Sequence, residues 1–373
     1  MISVNQLYIY PIKSLQGISL KKNKMVDGGF EYDRVLMISE PDGTFITARQ
    51  YPELLKLKTS VMNNNIDVSI SSQKAITINF DEFSKNNEPT EVWGNHFTSQ
   101  IASIRVNQFF SQFLRKDVQI RWVGNNLTRR IKRYPQIPIS FADRYPYLLL
   151  NEASFNYLQQ KCPIKLDIRQ FRSNIIVKGA LPFAEDAWKT IKIGNVIFDI
   201  VKPCNRCMLT TLNFNSAKPL ANNEPLNTLR YFRADEQGKI DFGMNMIARN
   251  NGSISVNDPI EILERQPAKN YIKNFPTETI NETQPCIITF EGRSFKGNNK
   301  QTILEQLEHH KIALPYSCRS GVCGRCLIKL KEGKISTLKQ SAEKRNNHIL
   351  ACSCLPNGNI EIGLIKKVAN KNS

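Results

Sequence analysis

Residues 315–326 read PYSCRSGVCGRC, and this stretch decides the fold of the C-terminal part. Its cysteines are spaced Cys318-x4-Cys323-x2-Cys326, and two more follow at Cys352 and Cys354. A [2Fe–2S] cluster needs four thiolates converging on a small metal core, and one tight loop can supply three of them. Gly321 and Gly324 let the loop backbone approach and aim N–H groups at the sulfurs. A structural zinc site more usually pairs two CxxC units. The spacing therefore predicts a [2Fe–2S] centre. Outward from this loop, Thr302-x-x-Glu305 is a capping box that opens a helix with Ile303, Leu304 and Leu307 on one face. Ile287–Phe290 and Gly292-Arg293 predict a hairpin, and residues 360–365 a last strand. Residues 266–284 (QPAKNYIKNFPTETINETQ) have the composition of a linker.

The chain has 373 residues, which suggests two or three domains. With 41% hydrophobic and 23% charged residues it is neither disordered nor fibrous. No run approaches the length of a membrane-spanning helix, and Met1–Tyr10 shows no signal-peptide pattern, so a cytoplasmic protein is expected. Lys+Arg is 51 against 33 Asp+Glu, a net charge of +18, which favours anionic partners or simply solubility. No basic stretch interleaved with aromatics resembles a nucleic-acid motif. Nine cysteines in a cytosolic chain point to metal or redox chemistry more than to disulfides. Cys162 and Cys286 stand alone and read as small buried residues.

The first 95 residues read mostly as strand, with turns at Asp27-Gly28-Gly29 and Pro41-Asp42-Gly43. Residues 98–161 look mixed, with helical spacing at Phe155 and Leu158. Ile191–Val201 reads as a hairpin turning at Gly194-Asn195, and residues 256–263 as a closing strand. Cys204-Asn205-Arg206-Cys207 follows that hairpin. Alone, a CxxC could be a redox pair, half a zinc site or an accident. No βαβ pattern is read before it.

The stretches PYSCRSGVCGRC and ILACSCLP (349–356) resemble plant-type [2Fe–2S] ferredoxins, over residues 286–366. The resemblance implies cluster ligands Cys318, Cys323, Cys326 and Cys352, because Pro356 follows Cys352 at the family's interval. Cys354 is then a bystander. Residues 284–373 hold 15 Lys+Arg against 6 Asp+Glu, unlike the usually acidic free ferredoxins, so an acidic reductase is the expected partner.

The stretch KPCNRCMLTTLN (202–213), with EPLNTLRYFR (224–233) and FGMNM (242–246), resembles MOSC domains of molybdenum cofactor proteins. So do FRSNIIVKG (171–179) and AEDAW (184–188). YPIKSLQG (10–17), Asp33-Arg34 and TARQYP (47–52) resemble the β-barrel that precedes them. The whole is similar to the YcbX-like MOSC enzymes with a C-terminal ferredoxin domain, and to the mitochondrial amidoxime reducing components, which lack that domain. The implied fold is mainly β with α. It comprises an N-terminal MOSC β-barrel domain (1–95), a MOSC β-barrel domain (96–265), a linker (266–284) and an α+β β-grasp ferredoxin domain (285–373).

The resemblance further implies a molybdopterin-bound molybdenum ligated by Cys207, with Arg206 keeping the thiolate deprotonated and Cys204 structural. Lys13-Ser14 would hold the cofactor phosphate, Arg49 the phosphate or pterin, and Arg172 with Asn174 the pterin. Tyr145 lies in Asp143-Arg144-Tyr145-Pro146, where mammalian relatives carry DxSP, and would line the pocket. Leu212-Asn213 replaces their Val-Asp. The implied activity is reduction of N-hydroxylated compounds such as hydroxylaminopurines. Electrons would pass from an NADPH-dependent flavoprotein through the cluster to molybdenum. The alternative is a sulfur or molybdenum cofactor carrier, or sulfurtransferase, with a persulfide on Cys207.

The ligand assignment has a direct check. Cys352→Ser should lose the cluster's iron and visible absorbance, whereas Cys354→Ser should keep both. Iron analysis giving the opposite pair of results would transfer the ligand role to Cys354.

Overall fold

The structure is a computed structural model that describes residues 1–70, 73–271, 283–316, 321, 324–338, 342–344 and 347–365. The chain divides into two compact units: Met1–Arg233 with Ile240–Tyr271, and Ile272–Ser373 with Ala234–Lys239. Most of the linker expected at 266–284 lies outside the described residues.

The centre of the first unit is an eight-stranded sheet among the described residues. Its order is Ile18–Leu20, Ser3–Ile9, Ile175–Lys178, Tyr147–Asn151, Asp241–Ala248, Val196–Asn205, Trp188–Ile193 and Ile260–Arg265. The anticipated hairpin forms: Ile193 faces Val196 and Ile191 faces Phe198 across Gly194-Asn195. All four side chains are buried, each contributing about 1.5–3 kcal/mol by leaving water. Tyr147–Asn151 and Ile175–Lys178 run parallel, joined through the helix Glu152–Lys161. This βαβ unit was not anticipated, because buried strands such as Tyr147–Asn151 lack the alternation that marks a half-exposed one. Asn151 caps the helix by accepting from the Ala153 N–H at 3.1 Å.

The closing strand begins later than expected, at Ile260. Pro259 has no N–H for a ladder and Asn257 turns at φ 71°. Strand Val196–Asn205 slips register against Asp241–Ala248 between Ile200 and Lys202, and again between Pro203 and Asn205. Pro203 is tolerated at such an irregularity, which bends the strand end that leads to Cys204–Cys207.

Two smaller sheets pack around a second core in this unit. One runs Leu36–Ser39, Gln119–Trp122, Asn95–Ile101, Glu88–Val92; the other is the meander Leu57–Met62, Asn65–Ile70, Gln73–Asn79. The mixed region contains the helix Ile104–Leu114, which buries Val106, Phe110 and Leu114 at four-residue spacing and stops at Arg115 in the left-handed region. The hairpin Glu88–Val92/Asn95–Ile101 turns at Trp93-Gly94, with φ 56° and 73°.

Among the described residues the second unit holds a six-stranded sheet, Arg293–Asn298, Pro285–Phe290, Cys354–Gly363, Leu327–Thr337, His348–Leu350, Glu343–Lys344, covered by the helix Ile303–His309. This is the expected β-grasp arrangement. The capping box is made: the Glu305 N–H donates to Thr302 Oγ1 at 3.3 Å, and the Thr302 N–H to Glu305 Oε2 at 2.8 Å. The last strand starts at Cys354 and ends at Gly363, earlier at both ends than the sequence pattern suggests. Pro356 and Gly358 read as turn residues, yet Pro356 lies opposite Ile335 within the ladder.

One buried ion pair fastens the first unit. Arg233, ending the helix Leu226–Arg233, donates to both Asp186 oxygens (2.5 and 3.0 Å) and to the Asp241 carbonyl (3.0 Å). Its guanidinium lies 4.0 Å from the Tyr271 ring centre. Removing it strands a buried carboxylate, so Arg233→Ala should cost about 3–5 kcal/mol in denaturant unfolding. A loss under about 1 kcal/mol would mean water reaches Asp186 freely.

Candidate functional site

The strand Val196–Asn205 delivers the thiol. The Arg206 N–H donates to the Ile240 carbonyl (2.7 Å), and the chain turns at Cys207 into the short 3-10 helix Met208–Thr211. The Cys207 carbonyl accepts from the Thr210 N–H (3.1 Å) and hydroxyl (2.9 Å), which sets the backbone and leaves Sγ half-buried. Arg49 Nε donates to Cys207 Sγ at 3.2 Å. The same guanidinium donates through Nη2 to Asp143 Oδ2 at 3.2 Å and lies 5.0 Å from the Trp93 ring centre. Burial opposes the charge on Arg49, but Cys207 and Asp143 outweigh it and hold the guanidinium firmly protonated.

Asp143 is the hub. Its Oδ1 accepts from Lys13 Nζ and from Trp93 Nε1, the latter at 3.1 Å. Lys13 Nζ also donates to the Phe141 carbonyl at 2.9 Å. Arg129 pins the loop, donating to the carbonyls of Ser140 (2.6 Å), Ala142 (2.5 Å) and Asp143 (3.3 Å). Desolvation pushes the Asp143 carboxyl up, but the charges of Lys13 and Arg49 prevail and hold it well below the usual carboxylate range. Burial, against the pull of Asp143, lowers Lys13 to about 8 and Arg129 to about 10. Lys13, Arg49 and Arg129 are all buried around this single carboxylate, whose own side chain is 45% exposed, leaving a surplus of positive charge that meets solvent on the Asp143 side. Arg129 Nε has no hydrogen-bond partner among the described residues.

Lys13 and Arg49 thus meet on Asp143, and Arg49 also reaches Cys207. Ser14 follows Lys13 in the left-handed region (φ 76°) and is buried. Such a conformation costs about 1–3 kcal/mol in a non-glycine residue and recurs at ligand sites. Arg172 is one step away, donating to the Leu15 carbonyl at 2.7 Å and stacked 4.2 Å from the Tyr10 ring centre; burial lowers it to about 10.

Three more of the expected site residues are placed as follows. The Arg206 guanidinium donates to the carbonyls of Phe242 (2.7 Å) and Phe171 (2.8 Å), and among the described residues the hydrogen bond to the sulfur comes from Arg49. Asn174 is occupied by backbone and a neighbour, accepting from the Leu148 N–H (3.2 Å) and Arg34 Nη1 (3.0 Å) and donating to the Tyr8 carbonyl (3.2 Å). Tyr145 packs with Ile131, Ile139, Ala142 and Ile247, with Lys202 Nζ 5.6 Å from its ring centre. Asp143, Trp93 and Arg129 were not singled out as site residues. The Trp-Gly pair between two short strands was the one signal available for Trp93.

In the second unit, Cys326 and Cys352 are buried, and the Gly321 N–H donates to Cys352 Sγ at 3.3 Å. Such N–H···S bonds favour the more negative, reduced cluster. Cys354 is buried at the start of strand Cys354–Gly363, opposite Thr337. Cys318 and Cys323 lie outside the described residues.

The donor set fits an anionic, metal-bearing pterin. A half-buried thiol suits a soft metal, and the desolvated cations with an orphaned Nε suit a phosphate. Comparison with known proteins agrees. The MOSC N-terminal beta barrel domain matches residues 1–117, the MOSC domain 136–261, and the 2Fe-2S iron-sulfur cluster binding domain 288–357. Mitochondrial amidoxime-reducing component 1 of Homo sapiens is 28% identical over 281 residues, 70% of this chain and 83% of its own. Mitochondrial amidoxime reducing component 2 of Rattus norvegicus is 29% identical over 280 residues, 69% of this chain and 82% of its own. Molybdenum cofactor sulfurase of Oryza sativa subsp. japonica is 29% identical over 267 residues, 65% of this chain; the match spans 32% of that longer protein. The chain is a MOSC protein similar to the amidoxime-reducing components, one that binds the molybdenum cofactor and carries a [2Fe–2S] ferredoxin-type domain of its own.

Proposed function

We propose that this molybdenum-dependent oxidoreductase reduces N-hydroxylated compounds, hydroxylaminopurines among them, to amines. The observation that carries the reading is Cys207 Sγ held by Arg49 Nε in a buried cationic pocket. The reaction consumes two electrons and two protons: R–NHOH becomes R–NH2 and water. The electrons come from NADPH through a flavoprotein reductase, pass singly into the cluster on Cys318, Cys323, Cys326 and Cys352, and leave it one at a time, two in succession for each substrate reduced. When bound, the molybdenum cofactor supplies the two-electron couple that this deoxygenation needs.

The chain's own residues bind and tune. Cys207 is the protein ligand, and Arg49 stabilises negative charge on its sulfur. Lys13, Ser14 and Arg49 hold the cofactor phosphate, with Arg172, Asn174 and Tyr145 forming the surroundings of the pterin. Asp143 and Trp93 fix the direction of Lys13 and Arg49, as supporting groups around a metal site do. Arg206 supports the backbone around Cys207 through the carbonyls it binds. Residues 1–95 and 96–265 build this site, and 285–373, joined by 266–284, admit the electrons. No helix among the described residues is long and apolar enough to cross a membrane, and a reducing cytoplasm keeps the thiolates available.

A sulfur or cofactor carrier would also use Cys207, and the similarity to a molybdenum cofactor sulfurase speaks for it. Such a carrier has no need of a fused electron-transfer domain.

Protein made in a cofactor-competent host should contain about one molybdenum and two irons per chain. Cys207→Ser should lose molybdenum and N-hydroxy reduction while keeping the irons. Full activity in that variant sinks the reading, and a persulfide on Cys207 without molybdenum favours the carrier. Arg49→Lys keeps the charge but cannot bridge Cys207 and Asp143 at once, so cofactor retention or activity should fall about 10–100-fold.

A further inference from the structure

Around Tyr145, two residues after Asp143, gathers a second group of cations that the reading above leaves without a task. Arg133 and Arg144 are exposed and Lys202 is half-buried. Arg144 follows Asp143 in the chain; Arg133 belongs to the turn between strands Arg130–Ile131 and Tyr134–Pro138; Lys202 lies on the bent end of Val196–Asn205, two residues before Cys204. They converge: Tyr134, Tyr145 and Val201, the chain neighbours of Arg133, Arg144 and Lys202, pack in one apolar cluster, and Lys202 Nζ lies 5.6 Å from the Tyr145 ring centre.

Among the described residues none of these three cations has an ion-pair partner. The two carboxylates nearby are already engaged. Asp143 holds Lys13 and Arg49, and Asp241, which acts on Lys202, accepts from Lys269 Nζ at 2.6 Å. Like charges gathered without a counter-ion repel one another and create a local field that concentrates anions. A neutral N-hydroxylated base gains nothing from that field. A phosphate monoester, carrying about −1.5 to −2 charges at neutral pH, gains a great deal.

We propose that the site takes its N-hydroxylated substrate as a phosphorylated nucleoside, with Lys202, Arg144 and Arg133 receiving the phosphate. The proposal rests on the N-hydroxy reductase reading. The same phosphate chemistry could come from the cofactor, but Lys13 and Arg49 already provide for that group, so the substrate is the source assigned.

The test uses the full-length holoenzyme with reduced methyl viologen as electron donor, and compares N4-hydroxycytidine with its 5′-monophosphate. The KM for the monophosphate should be lower by about tenfold or more at low ionic strength, and the advantage should shrink with salt. In the Lys202→Gln/Arg144→Gln double variant the ratio of the two KM values should fall to near one, with molybdenum per chain unchanged. Equal KM values in the wild type, or a ratio that the variant leaves intact, overturn the proposal. Loss of molybdenum in the variant overturns it too, because the cations would then serve the cofactor's phosphate. If neither compound nor any free N-hydroxylated base is reduced, the reductase reading itself has failed. Titration of the holoenzyme with cytidine 5′-monophosphate against cytidine then still decides the cationic site, tighter binding of the monophosphate supporting it and equal binding refuting it.

Discussion

A single carboxylate, Asp143, stands among cations that have been withdrawn from water, and the geometry around the thiol depends on it. Lys13 comes from the loop after the first strand, Arg49 from a turn before the meander, and Trp93 from a hairpin tip; all three converge on its oxygens. Arg49 then carries the connection to Cys207. Without a counter-charge, burying Lys13 and Arg49 side by side would be prohibitive, since each ion loses several kcal/mol of hydration. The carboxylate offsets part of that cost and leaves a positive surplus. The surplus is what makes the place a receptor for an anion rather than a closed salt-bridge network. Arg129 holds the Ser140–Asp143 backbone in place by its carbonyls, so the direction of the carboxylate is set from behind.

The thiol itself depends on a different constraint, the irregular end of one strand. Slips in register around Lys202 and Pro203 bend Val196–Asn205 away from its partner, and Arg206 then locks the bent segment to Phe171 and Phe242. A regular strand would alternate Cys204 and Cys207 to opposite faces. Here the bend, followed by a 3-10 turn, presents Cys207 to Arg49. The second unit answers to simpler rules: a capped helix lies over a sheet whose buried face is Ile288, Phe290, Ile328, Ile349, Ile360 and Ile362.

Much of this was legible beforehand, and particular residues show where legibility ended. The hairpin at Gly194-Asn195 and the capping box at Thr302 are local, so their signals lie within a few residues of one another. The helix Ile104–Leu114 was missed within a mixed stretch. The parallel pairing of Tyr147–Asn151 with Ile175–Lys178 was missed because strands buried on both faces lose their alternation. Arg206 was expected beside the thiol because it is next to Cys207 in sequence. Neighbouring side chains diverge along an extended backbone, so the hydrogen bond to the sulfur comes from Arg49 while Arg206 bonds the Phe171 and Phe242 carbonyls.

The sequence by itself determined the chemistry: which thiols are spaced for a cluster, that a cysteine follows a strand and Pro203, that lysines and arginines outnumber acids, and that two kinds of domain share the chain. Those properties reside in residue type and short spacing, which folding does not alter. Only the tertiary structure decided that Arg49 and Cys207, 158 residues apart, meet at 3.2 Å, and that Asn174 is occupied by Leu148, Arg34 and Tyr8. It alone decided that Asp143 pairs with both Lys13 and Arg49 while Arg133, Arg144 and Lys202 have no ion-pair partner among the described residues. Electrostatic pairing and desolvation depend on distance and burial in space, and no local pattern in the chain encodes either.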